Sequence, residues 1–250
     1  MKVFRGNHLF SISIVVLVSL WILSSWLGLL NPIFFPTIDE FMVAAKKLFL
    51  EKSFLSDIGI STFRVVTAFL LAFVLAVPLA LLMSSWKKLH STLAPYIDFI
   101  RYLPVPALIP LTILFFGIGE GAKISLLFIG TFFQLILLII DNLHNVPKEY
   151  LDLSYTLNFS KYKILKTKLS SIGPQLFDNS RITLGWCWTY LVIAELVAAS
   201  SGIGHMIKEA QRFSNIPDLY VGIFTIGVIG FLSDYIFKKM YPLIFKYKSQ

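Results

Sequence analysis

Long apolar runs constrain this chain more than any other feature. A helix that crosses a bilayer needs about 20 mainly apolar residues. Six stretches approach or exceed that length: residues 9–30, 63–84, 95–118, 124–140, 182–199 and 219–237. The composition points the same way. Hydrophobic residues make up 56% of the chain and charged residues 14%, where a soluble domain carries roughly 45–50% and about 25%. Charge this sparse cannot cover a soluble surface, and 23 Phe among 250 residues exclude a disordered chain. The expectation is an all-α, polytopic membrane protein of about six transmembrane helices.

The first run follows Lys2 and Arg5 and ends Leu-Gly-Leu-Leu-Asn. A cleaved signal peptide has only about 7–15 apolar residues before a small-residue cleavage site, so this run reads as a retained span. Residues 37–54 place Phe41, Val43, Ala44, Leu48 and Leu50 among Asp39, Glu40, Lys46, Lys47 and Glu51. That pattern predicts an amphipathic surface helix with Thr37 as its cap. With the N-terminus inside, cytoplasmic segments carry about twice as many Lys and Arg as outside ones. The net charge of +8 then reflects membrane orientation and calls for no nucleic-acid partner. An even number of spans puts both termini in the cytoplasm. Three regions follow: an N-terminal span with its external amphipathic segment (1–56), a transmembrane domain (57–245) with a cytoplasmic loop at 141–178, and a short tail (246–250).

The loop 141–178 is the longest polar stretch. Its first half has leucines at 151, 153 and 157 with acids at 149 and 152. Its second half has Tyr162, Leu165 and Leu169 at helical spacing among lysines. Both halves read as short amphipathic helices. Asn158 can take the left-handed conformation that ends a helix, and Ser160 can cap the next one. Such a helix–turn–helix suits docking to a soluble partner, or lying on lipid headgroups held by its lysines.

At this loop the chain resembles the permease subunit of a type I ABC importer, within the nitrate/sulfonate/taurine branch. That family carries a Glu-Ala-Ala loop, then Gly, then Leu-Pro. Here the matching positions read Asp152-Leu153-Ser154, then Asn158, with the Pro position near Ser170 or Ser171. Other segments match more closely. They are Pro104-Val-Pro-Ala-Leu-Ile-Pro110, Phe116-Gly-Ile-Gly-Glu120, Val146-Pro-Lys-Glu-Tyr150, Arg181-Ile-Thr-Leu-Gly185, Ala194-Glu195-Leu196, Ser200-Ser-Gly-Ile-Gly204, Ile226-Gly-Val-Ile-Gly230 and Asp234.

The resemblance implies a type I ABC importer transmembrane domain. Two permease copies would form the pathway, as a homodimer or with a related chain as a heterodimer. Two cytoplasmic ATPase subunits and an external substrate-binding protein would complete the assembly. The solute would be a small anion such as a sulfonate or nitrate, or a vitamin-precursor-like heterocycle. The residues implied in ATPase coupling are Glu149, Asp152, Leu153, Ser154 and Asn158.

Charges inside spans usually face a bundle interior or a wet cavity. Arg64, Asp98, Arg101, Arg181, Glu195 and Asp234 are the candidates. Glu195 is expected to hold helices together or to gate. Arg64 and Arg181 near span ends can be explained by snorkelling, and Asp98 and Arg101 by a local pair. Pro104, Pro106 and Pro110 must kink or unwind the third span. Freed carbonyls at membrane depth are tolerated only in protein or beside a cavity, so this segment is placed near the pathway. Tyr102, Trp186, Trp188 and Tyr190 could line it. Arg64, Tyr102, Pro104, Pro106, Pro110, Trp186 and Glu195 are therefore the pathway or gating candidates.

An enzyme reading fails on inventory. His8, His90, His144 and His205 are isolated, no metalloprotease or paired-carboxylate motif is present, and no phosphate-binding loop occurs. Cys187 is alone, which excludes an intrachain disulfide and a thiolate metal site. No cofactor is expected, and ATP hydrolysis would fall to a partner.

Overall fold

A computed structural model describes residues 7–28, 31 and 33–246. Lys2, Arg5 and most of the short tail lie outside the described residues. Every regular element among the described residues is helical.

Helix α1 covers Asn7–Trp26 and is followed by α2, Ile38–Glu51. The expected cap is in place: the Thr37 hydroxyl accepts from the Glu40 amide, and the Glu40 carboxylate accepts from the Thr37 amide at 2.8 Å. This reciprocal box satisfies two donors that a helix start leaves orphaned. Ala44 and Leu48 form the buried stripe of α2.

Helix α3, Phe54–Ser85, begins nine residues before the apolar run that announced it. Its Ala68, Ala72, Ala76 and Ala80 recur every fourth residue and are fully buried. Small side chains on one stripe let backbones approach closely where lipid gives no hydrophobic drive between helices. Helix α6, Glu120–His144, uses that stripe. It lies between α3 and α8 through Leu126, Leu127, Leu135, Ile136 and Ile139.

The third expected span, 95–118, is not one helix. It is divided into α4, Lys87–Arg101, a short 3₁₀ turn at Val105–Leu108, and α5, Ile109–Phe116, with a bend of 99°. The prolines explain the break. Pro104 is extended at φ −65°, ψ 115°, and proline also occupies the first positions of the turn and of α5, where a missing amide costs nothing.

The polar loop also differs from expectation. Helix α7, Lys148–Thr156, is the first short helix. The second is the beginning of α8, one continuous helix over Lys161–Ala198 that also contains the expected fifth span. Ser160 caps α8 at the Lys163 amide. Pro174 lies inside α8 and removes one internal hydrogen bond without ending the helix. Helices α9, Ile203–Arg212, and α10, Ile216–Ile244, close the bundle.

By length and apolar character alone, α3, α6 and α10 can each cross a membrane, and the bent pair makes a fourth if it is one span. The remaining expected spans fall in α1 and in the second half of α8. The core runs as three connected layers: Met83, Ile97 and Ile139 at one end; Val65, Leu127 and Leu191 in the middle; Leu48, Phe54 and Ile207 at the other.

Candidate functional site

The most constrained chemistry lies where α3, α6, α8 and the turn before α9 converge. Arg64 on α3 is fully buried. It does not snorkel to an interface. Its guanidinium donates to both oxygens of Glu120 at 2.6 Å, to Glu195 at 2.5 Å and to the Ser201 carbonyl at 2.8 Å. The fork of Arg matches a carboxylate bidentately, which is why Arg serves here and Lys would not. Glu195 on α8 is fully buried as well. It also accepts from the Ser61 hydroxyl at 2.7 Å and from the Gly204 amide at 2.7 Å. Lys123, one turn into α6 and itself buried, donates to Glu120 at 3.0 Å. Two cations therefore meet two anions, and no charge in the cluster stands alone. A buried charge without such partners would be prohibitively costly.

The turn 199–204 is fastened to α3 at several points. The Gly202 amide donates to Asp57 at 2.7 Å, and the Ile203 amide donates to Ser61 at 2.9 Å. Gly202 has φ +108°, and a Cβ there would collide with Glu195 and with the Arg64 guanidinium. Both the backbone angle and the space demand glycine.

The sequence placed Arg64 and Glu195 among candidates without bringing them together. It missed Glu120, Lys123, Asp57 and Ser61. The available signal was that a buried arginine needs acids, and Glu120 follows Gly-Ile-Gly at the start of a helix.

A second site lies at the break between α4 and α5. Tyr102, Pro104 and Arg101 line a cavity of about 380 Å³ together with Gln134, Phe133 and Tyr190. Pro106, Pro110 and Trp186 are not part of its lining. The Asp98–Arg101 pair is local, at 3.6 Å. Arg181 pairs with Asp234 across α8 and α10 at 2.9 Å.

The third site is α7 and its exit. Glu149, Asp152 and Asn158 are exposed, as are Tyr150, Leu153, Tyr155 and Leu157. Ser154 is buried and its hydroxyl bonds back to the Tyr150 carbonyl at 2.7 Å. It therefore offers nothing to an external partner and sets the seat of α7. Asn158 has φ +49°. Its amide donates to the Tyr155 carbonyl at 2.9 Å, and the Phe159 amide donates to the Ser154 carbonyl at 3.0 Å. These two bonds around a left-handed residue are a Schellman ending. Asn158 thus does the work of the glycine expected there.

This bundle, with a short exposed helix between two long ones, can now be set beside known proteins. The family described as "Binding-protein-dependent transport system inner membrane component" matches residues 68–246. The chain belongs to this permease family. Among similar proteins is SsuC of Bacillus subtilis (strain 168), named for aliphatic sulfonates transport, 29% identical over 94% of this chain and 85% of that one. Another is the taurine transport system permease protein TauC of Escherichia coli (strain K12), 27% identical over 89% and 83%. Among solved structures, a chain of the MetNI methionine ABC transporter in an inward-facing conformation superposes with TM-score 0.68. It covers 76% of this chain and 95% of its own length at 16% identity, which speaks to the fold. The permease is accordingly a multi-pass membrane subunit of an ABC importer, a class that works with ATPase and substrate-binding partners.

Proposed function

We propose that two copies of this permease enclose a translocation pathway for a small organic anion of the sulfonate class. The names of the similar proteins support that class. The pathway runs past the broken segment between α4 and α5, where the about 380 Å³ cavity presents Arg101, Tyr102 and Gln134. An external binding protein delivers the solute. Both termini lie in the cytoplasm, and α7 seats in a cleft of each of two cytoplasmic ATPases.

The observation that carries this reading is α7 itself. It leaves Tyr150, Leu153 and Tyr155 each more than half exposed on a helix of 9 residues, and Leu157, its C-cap, equally so. Exposed apolar side chains gathered on so short an element mark an interaction surface. The Schellman ending and the Ser160 cap join α7 to α8 without a flexible link, so a displacement of α7 is passed on as a rigid-body shift. Glu149 and Asp152 add polar contacts at the rim, while Ser154 and Asn158 hold the geometry.

The test is co-purification of the tagged permease with its ATPase from detergent. Asp152→Arg and Leu153→Asp should each abolish recovery of the ATPase while the permease still purifies as a folded protein. Retention of the ATPase by both variants at wild-type levels would sink the reading.

A further inference from the structure

A cleft of about 710 Å³ separates α7 from the first half of α8. One stripe of α8 faces it: Lys163, Lys166, Thr167, Ser170 and Ser171. These positions follow the spacing of a single helix face. A stripe that merely packed against a neighbouring helix would be apolar. This one carries two ammonium groups, the Ser170 and Ser171 hydroxyls, the Gln175 amide and a Thr167 hydroxyl that donates to the Lys163 carbonyl at 3.0 Å, with Pro147, Tyr150 and Phe159 closing the other side. No carboxylate lines the cleft. Neither lysine has an acidic partner among the described residues; Lys163 lies 5.4 Å from the centroid of the Phe159 ring.

Two further features set the cleft apart. The α8 start carries Lys161, Lys163, Lys166 and Lys168 with no acid in its first turn. Of these, Lys161 and Lys163 lie in the first turn, where cations oppose the helix dipole, and only Lys163 and Lys166 face the cleft. Ser170 is exposed and Ser171 half-buried, and neither side chain has a hydrogen-bond partner among the described residues. The proline position of the family pattern falls near Ser170 or Ser171, and a proline would offer no donor to a ligand.

We propose that this cleft binds a phosphate group, held by Lys163 and Lys166 as charge-assisted donors and by Ser170 and Ser171 as hydroxyl donors. The phosphate has two possible sources, an anionic phospholipid headgroup at the inner leaflet or free inorganic phosphate. The proposal stands apart from which solute the permease carries.

The full chain, purified in detergent and stripped of bound lipid, is titrated with inorganic phosphate. In parallel it is placed in phosphatidylcholine nanodiscs with and without phosphatidylglycerol. Binding is read by calorimetry and by native mass spectrometry. Saturable binding that the double variant Lys163→Gln/Lys166→Gln weakens by about tenfold or more is the expected result. Ser170→Ala/Ser171→Ala, which keeps every charge, should weaken it by a smaller factor. Phosphate binding in detergent assigns the free anion, and retention of phosphatidylglycerol alone assigns the headgroup. The control Lys87→Gln/Lys88→Gln removes the same charge away from the cleft. An equal loss in that control would reduce the effect to general surface electrostatics and overturn the proposal. So would no saturable binding. So would a double variant that binds phosphate and lipid normally but loses its ATPase, since the cleft would then belong to a protein interface.

Discussion

Replacing Arg64 by Met asks how much the buried charge cluster contributes. The substitution keeps the volume roughly filled but removes every hydrogen bond of the guanidinium. Glu120 is half exposed and retains Lys123, so its loss is small. Glu195 is different. It is fully buried and would keep only the Ser61 hydroxyl and the Gly204 amide. Stranding one member of a buried pair costs about 3–5 kcal/mol. On the scale of about 2–4 °C per kcal/mol for domains of 150–250 residues, the unfolding midpoint should fall by roughly 6–20 °C. Glu195→Gln should cost less, about 1.5–3 kcal/mol, because Arg64 keeps its bidentate hold on Glu120. The double variant should cost less than the sum of the two by about 0.5–3 kcal/mol, since no buried charge is then left without a counter-charge. Thermal unfolding in detergent, followed by tryptophan fluorescence, measures all three. Simple additivity, or a drop of under about 3 °C for Arg64→Met, would refute the argument that these charges depend on one another.

The other predictions concern backbone geometry. Asn158→Gly should leave stability unchanged or slightly raised, whereas Asn158→Val should cost about 1–2 kcal/mol in the left-handed conformation and reduce ATPase recovery; equal behaviour would refute the Schellman assignment. Gly202→Ala should destabilise through both its positive φ and the collision with Arg64 and Glu195, by about 1–3 kcal/mol for the strain alone. Gly59→Ala, in open helical space, should instead stabilise by about 0.5–1 kcal/mol, and the two midpoints should move in opposite directions. Thr37→Ala should cost about 1 kcal/mol through loss of the capping box, seen as a lower midpoint with the oligomeric state unchanged.

Local features were readable wherever a single residue carries the information. Thr37 as a cap, Asn158 in the left-handed region, Ser160 as a second cap and the proline break all follow from the chemistry of one side chain. What escaped the sequence is set by tertiary packing. Arg64 near a span end has the same local signature as a snorkelling arginine, and only the fold shows Glu120 and Glu195 closing on it from two other helices. The spacing of Tyr162, Leu165 and Leu169 among lysines reads as a separate short helix, yet amphipathicity can change along one helix without any break. Ser154 falls among the coupling residues because it occupies the third position of the Glu-Ala-Ala match. Its burial follows from which face of α7 meets α8, a fact of register that spacing alone does not supply.

The length of α8 has a mechanical consequence. Its 38 residues span about 57 Å at the usual rise per residue. One end adjoins the Schellman turn, and the other is held through Glu195 to two neighbouring helices. A rod held at one end has its longest moment arm at the other, and α6 and α10, which pack along α8, would move with it. A rotation of about 5° about the held end sweeps the far end through about 5 Å of arc, close to one helical turn, while leaving the held end almost still. Under the coupling role proposed for α7, force applied there would tilt the near side of the bundle about the charge cluster.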